Sequence, residues 1–88
     1  MAIERGRQFK GYTLLHTEGG VRALHKDAEV GRLDVYDGVI SNVEVQPKHQ
    51  EKGIATAMLK YGRERQPIAH DQESNMTAAG YQWAKANP

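Results

Sequence analysis

The residues best placed to do chemistry are the run Gln50-Glu51-Lys52-Gly53-Ile54-Ala55, and the chemistry is anion binding. The first turn of an α-helix leaves about four backbone N–H groups without intrahelical partners, and the helix dipole adds roughly half a positive charge at the same end. Gly53 and Ala55 carry almost no side chain, so a bulky pyrophosphate can approach the backbone there. Lys48, His49 and Lys52 add donors around it.

Other reactive sets do not assemble. The chain has no cysteine, which removes disulfides, thiolate zinc sites and cysteine nucleophiles together. His16, His25, His49 and His70 are widely spread with no i, i+4 pair, so no metal site is expected. No serine stands in a nucleophile elbow and no Gly-Lys-Ser/Thr phosphate loop occurs. A net charge of +1 lacks the electrostatic footprint of non-specific nucleic-acid binding, so nucleic acid is not an expected partner. Lys60, Arg63 and Arg65 give the helix after the loop a basic outer side, either solvated or a contact for an acidic partner.

The elements that must position the loop follow from periodicity. From Phe9 to Val45 short alternating stretches are separated by turn residues, the pattern of an antiparallel meander. Tyr12–His16, Val21–His25, Val30–Tyr36 and Val39–Val45 are the expected strands, with reversals at Glu18-Gly19-Gly20, Lys26-Asp27-Ala28 and Asp37-Gly38. In the last strand Val39, Val43 and Val45 are placed on one face, with Asn42 and Glu44 on the other. Pro47 ends that strand and the period changes from 2 to 3.6. Ile54, Met58 and Tyr61, with Ala55 and Leu59 beside them, predict an amphipathic helix from Glu51 to about Arg65, weakened by Gly62 by roughly 1 kcal/mol relative to alanine. Pro67–His70 reads as a short strand, and Asn75 or Thr77 as the cap of a second helix running through Ala84. The expected fold is therefore mixed α/β, of the α+β class: four meandering strands, helix, strand, helix. The strand-helix-strand unit at 39–70 is a right-handed parallel crossover.

Length and composition agree with one small domain over residues 1–88. Hydrophobic residues make up 39% and charged residues 26%, as in an ordinary soluble globular protein. A domain of this size buries only about 60% of its unfolded surface, so its stability margin is thin. No apolar run approaches the roughly 18 residues that span a bilayer, so no membrane partner is expected. Met1–Arg7 lacks the apolar core of a signal peptide, which reads as a cytoplasmic protein. Exposed sheet edges and a small core invite self-association, for example as a homodimer.

The segment Val43-Glu44-Val45-Gln46-Pro47-Lys48-His49-Gln50-Glu51-Lys52-Gly53-Ile54-Ala55-Thr56-Ala57-Met58-Leu59 resembles the acetyl-CoA-binding motif of the GNAT N-acetyltransferase superfamily. That motif has an apolar-x-Val strand, a proline, then Gln/Arg-x-x-Gly-x-Gly/Ala and a leucine-rich helix. The close match covers about a fifth of the chain, and the order of elements agrees through most of the remainder. The resemblance implies a minimal GNAT-like fold with acetyl-CoA, or another acyl-CoA, as cofactor and an amine of a small molecule or protein as acceptor. Main-chain groups of Val43 and Val45 would bind the pantetheine arm on a strand that splays from Pro67–His70. The amides of Gln50, Glu51, Lys52, Gly53, Ile54 and Ala55, with Thr56 nearby, would hold the pyrophosphate. The amine would attack the thioester directly, with no acyl-enzyme.

Such transfer needs a base for the attacking ammonium and an acid for the leaving thiolate. By the same resemblance, Glu44 is the first candidate base and His70 the second, each with a solvated surface role as the alternative. Asn75, Ala78 and Tyr81 approximate the asparagine-alanine-tyrosine pattern of the last helix, with Asn75 near the cofactor and Tyr81 as acid. Tyr81 stands one residue early, which turns it by roughly 100° around a helix. The chain lacks the length for the two helices that usually follow the first strand and for a final strand pair, parts that wall the acceptor site. Three functions stay open on these grounds: an acetyltransferase, a non-catalytic GNAT-like CoA-binding or protein-interaction module, and a small sheet protein without a cofactor.

Overall fold

The structure, a computed structural model, describes residues 6–88. The expected absence of a leader at Met1–Arg7 concerns residues that lie mostly outside this range. Five strands run in chain order β1 (Arg7–Phe9), β2 (Tyr12–Thr17), β3 (Gly20–His25), β4 (Ala28–Tyr36) and β5 (Val39–Val45), each antiparallel to the next. The meander thus has one strand more than expected. β1 is three residues long, with Arg7 and Gln8 exposed, so it shows no alternation of its own. It exists because Lys10 and Gly11 both adopt positive φ and fold it back onto β2. Lys26-Asp27 and Asp37-Gly38 close the third and fourth hairpins in the same left-handed conformation, where Asp and Gly are tolerated best.

Helix α1 (Ile54–Arg63) lies across the sheet, mainly over β3 and β4. It starts three residues later than the periodicity predicts, because Glu51 at φ 61° and Gly53 at φ 80° hold the preceding backbone outside helical geometry. Leu14, Val21, Ala23 and Leu33 meet Ile54, Met58 and Leu59 in the core, and every one of these side chains is at most 2% exposed. Burying each of the larger ones contributes about 1.5–3 kcal/mol. Gly62 is more than a weak helix former. A Cβ there would sit 2.8 Å from the Ile68 Cδ1 and 3.2 Å from the Val21 Cγ2, so the missing side chain lets the helix settle against the sheet.

The opposite sheet face carries charge. Arg22 pairs with Asp34 at 3.0 Å and with Glu29 at 3.3 Å, while the Arg32 Nε donates to Asp34 at 3.0 Å. Cross-strand register puts Arg22 opposite Arg32, so Asp34 offsets a repulsion the pairing would otherwise leave.

Two further expectations need correction. Pro67–His70 is not a strand but a single parallel bridge between Val39 and Ala69, closed by Ile40 N–H to the Ala69 carbonyl and Ala69 N–H to that of Gly38. Ile40, not Val39, is the buried residue at the start of β5. A register shift pairs Val35 with Ile40 and Asp34 with Asn42, leaving Ser41 as an extra residue, and this bulge reverses the alternation. Of the two expected caps of helix α2 (Ala78–Ala86), Thr77 is the one used: its Oγ1 accepts from Gly80 N–H at 3.0 Å.

Candidate functional site

The free edge of β5 is where the fold opens. Ile40 N–H points away from β4, toward Ala69, whereas Gln46 N–H points inward to the Val30 carbonyl. Strand alternation back from Gln46 therefore turns the main-chain groups of Val45 and Val43 outward, and the bulge at Ser41 reconciles this with Ile40, five residues before Val45. Beyond the bridge at Ala69 no backbone bond joins the two segments among the described residues. A cleft of about 550 Å³ occupies the gap. One wall is β5 from Ile40 to Val45. The floor is the loop and the first turn of α1, and the far wall is His70, Asp71 and the small-residue face of α2, with Trp83.

The loop itself enters α1 through a 3-10 turn, Pro47–His49. Gln50 N–H reaches the Pro47 carbonyl, and the first helical bond runs from Ala57 N–H to Gly53. Between them, no bond among the described residues uses the N–H groups of Glu51, Lys52, Gly53, Ile54, Ala55 or Thr56. Six consecutive donors, two of them on left-handed residues, are collected at the positive end of a ten-residue helix. No acidic residue occupies the first turn. Gly53 at positive φ is the residue that lets the chain turn into the helix, with only Phe9 near its missing Cβ, at 3.6 Å.

The structure brings most expected cofactor residues together. Val43, Val45, Gln50, Glu51, Gly53, Ile54, Ala55, Thr56 and Asn75 line the cleft; Lys52 does not. Two side-chain bonds change what those residues offer. Gln50 Nε2 donates to the Val45 carbonyl at 2.9 Å, so that acceptor is already engaged and Val43 is the open outward position. Thr56 Oγ1 donates to Asn87 Oδ1 at 2.9 Å and receives Trp83 Nε1–H at 3.3 Å, which makes it the peg on which α2 hangs.

The proton-transfer candidates are placed less simply. Glu44 is exposed and lines a second hollow of about 520 Å³, which shares Val43, Val45 and Gln50 with the cleft. By strand alternation its side chain lies on the other face of the sheet from α1. His70 lines the cleft edge-on to Trp83, but its Nε2 hydrogen-bonds the Asn87 carbonyl, so that nitrogen must carry the proton and only Nδ1 is left as a base. Tyr81 is outside the cleft; Gly80 and Ala84 of its helix line it instead, and Lys85 lies over the Tyr81 ring at 5.5 Å.

Sequence reasoning overlooked two sets of residues. Asn87 ties α2 to Thr56 and to the Trp83 carbonyl, a role no spacing rule reveals. His25 and His49, 24 positions apart, come within 5.1 Å between ring centroids through the meander. Burial, then His25, Lys52 and Lys48, hold the His49 imidazole below the ordinary histidine range. No group of three or more metal-ligating side chains occurs among the described residues. Arg63 is not simply a solvated cation either, since its Nε and Nη2 both donate to the Ile68 carbonyl. No protein-family model, no curated protein and no solved structure matches the chain, so its geometry must carry the functional reading.

Proposed function

We propose that the protein is a GNAT-like acyl-CoA-binding protein that transfers acetyl directly to an amine. The observation that carries this is the run of unbonded N–H donors from Glu51 to Thr56 at the floor of a cleft bounded by the free edge of β5. A pyrophosphate needs backbone donors at a positive helix end, and the loop from Glu51 with the first turn of α1 supplies them; the carboxylates of the cleft are Glu51, in the loop, and Asp71, on the far wall. A pantetheine arm is an extended chain with two amides, and an outward-facing strand edge pairs such a chain as it would another strand. In the transfer the amine nitrogen attacks the thioester carbonyl, the carbon–sulfur bond breaks, and one proton passes in net from nitrogen to sulfur. Glu44 is placed to accept that proton from an amine that arrives through the second hollow, across the shared edge at Val43. Thiolate protonation is left to solvent, given the position of Tyr81.

A second reading, a CoA-binding module without catalysis, is favoured by that same position of Tyr81. Binding and turnover separate the two. Acetyl-CoA at 100 times its dissociation constant adds about 2.7 kcal/mol, a rise of roughly 10 °C or more in a domain this small, and ATP gives less. Gly53→Glu abolishes that rise, since a positive φ disfavours glutamate and its carboxylate occupies the anion position; an unaltered rise would remove the loop from the site. Label transfer to an amine panel that Glu44→Gln lowers at least tenfold supports catalysis. Tight binding without transfer to any amine leaves the module.

A further inference from the structure

Three rings from three elements meet beside the anion loop. Tyr12 of β2, His25 at the end of β3 and His49 of the 3-10 turn have centroids 5.1 to 5.4 Å apart, and the Tyr12 hydroxyl lies 2.7 Å from His49 Nδ1. Tyr12 is buried. His49 is the member of the three that lines the cleft, one position before Gln50. We propose that His49 is a binding residue for the pyrophosphate that engages it as an imidazolium, so that filling the cleft takes up a proton in mildly acidic solution. This rests on the reading of the loop given above.

The groups that act on the His49 charge all favour the neutral ring, and Glu51 and Asp71, the two carboxylates that line the same cleft, form no ion pair with it among the described residues. Its own loop contributes Lys48 and Lys52, β3 contributes His25, and β2 contributes the uncharged Tyr12. The first turn of α1 has no carboxylate, and Glu51 of the loop is exposed. In the neutral tautomer that carries its proton on Nε2, Tyr12 O–H donates to Nδ1. A second proton goes to Nδ1, and the hydroxyl turns from donor to acceptor, so charging the ring costs no hydrogen bond at Tyr12. What the imidazolium lacks in the empty protein is a counter-charge, and a pyrophosphate diester brings two. Binding therefore strengthens as pH falls, and the ligand raises the His49 pKa from its depressed position.

The test uses dephospho-CoA, because a pyrophosphate diester has no group of its own that titrates between pH 5.5 and 8. Calorimetry on the full chain is expected to give a dissociation constant about three- to tenfold lower at pH 5.5 than at pH 8, the effect of one added charge near the phosphates. Titration at pH 6 in two buffers of different ionisation enthalpy is expected to show net proton uptake. That measurement needs no variant. His49→Asn flattens the ratio between the two pH values to about one, whatever its absolute affinity. His25→Asn moves the rise in affinity to higher pH. Binding that is indifferent to pH, or a pH rise that survives His49→Asn, overturns this proposal and leaves the loop reading standing. If neither CoA nor dephospho-CoA binds at any pH, both fall.

Discussion

The two helices are nearly equal in length and opposite in how they are held. α1 buries Ile54, Met58, Leu59, Tyr61 and Gly62 against the sheet, whereas no residue of α2 is buried. α2 is attached by a short chain of polar contacts: Trp83 and Asn87 on Thr56, and His70 on the Asn87 carbonyl. Apolar burial is worth several kcal/mol per helix turn, while each solvent-accessible hydrogen bond nets only about 0.5–1.5 kcal/mol. The division suits a binding cleft. Half of the unbonded donors sit on α1 and half on the loop that leads into it, while the wall formed by α2 is the one held by the fewest contacts.

Core substitutions give the largest expected effect and erase the contrast. Leu33 is fully buried where α1 meets β4, and Leu33→Ala removes its packing under both the helix and the strand. A loss of about 3 kcal/mol is expected in urea unfolding, as one cooperative transition in which α1 and α2 melt together. A wild-type midpoint in this variant would mean that the sheet and α1 do not form the stabilising unit.

Trp83→Ala sharpens the contrast instead. It removes the one large side chain of α2 that packs against the core, together with its bond to Thr56. About 1–2 kcal/mol is lost, less than for a fully buried tryptophan. Amide exchange is expected to rise throughout 78–86 while 57–63 keeps its protection. Equal loss of protection in both helices would show that α2 is integral to the core after all.

The same contrast explains what was legible in the sequence. Hairpins at Asp37-Gly38 and Lys26-Asp27 and the apolar spacing of Ile54, Met58 and Tyr61 are local rules, and they led to the α+β architecture and to α1. The unbonded N–H groups before α1 were legible because they follow from any helix start. β1 was not, since three half-polar residues have no periodicity and gain their form from β2. Nor was the bulge at Ser41, because a register slip is decided between strands, and it alone moves Ile40 to the buried face. Around α2 the determining contacts join Thr56 to Asn87 and His70 to Asn87, pairs remote in sequence whose residue types have many possible partners. The loop from Gln50 to Ala55 is thus tied to its neighbours by bonds that only the folded chain displays, such as Gln50 on Val45.

The smallest effect concerns the charged face, which lies on the other side of the sheet from α1. Burial raises the Asp34 pKa, but the Arg32 hydrogen bond, the Arg22 charge and the Asn42 hydrogen bond together outweigh it, and the carboxyl ends below its ordinary range. A carboxylate with a depressed folded pKa contributes stability that is fully present above its unfolded pKa, about 3.9, and is lost as pH falls through the folded value. The pairs are partly exposed, so a few tenths to about 1 kcal/mol is involved. Asp34→Asn is therefore expected to flatten the fall in stability below about pH 4, leaving the shape of the curve above pH 5 intact. Because Arg22 and Arg32 face each other across β3 and β4, the variant also loses a little stability at neutral pH, and added salt restores part of it by screening that repulsion. An acid limb as steep in Asp34→Asn as in the wild type would assign the acid sensitivity to other carboxylates.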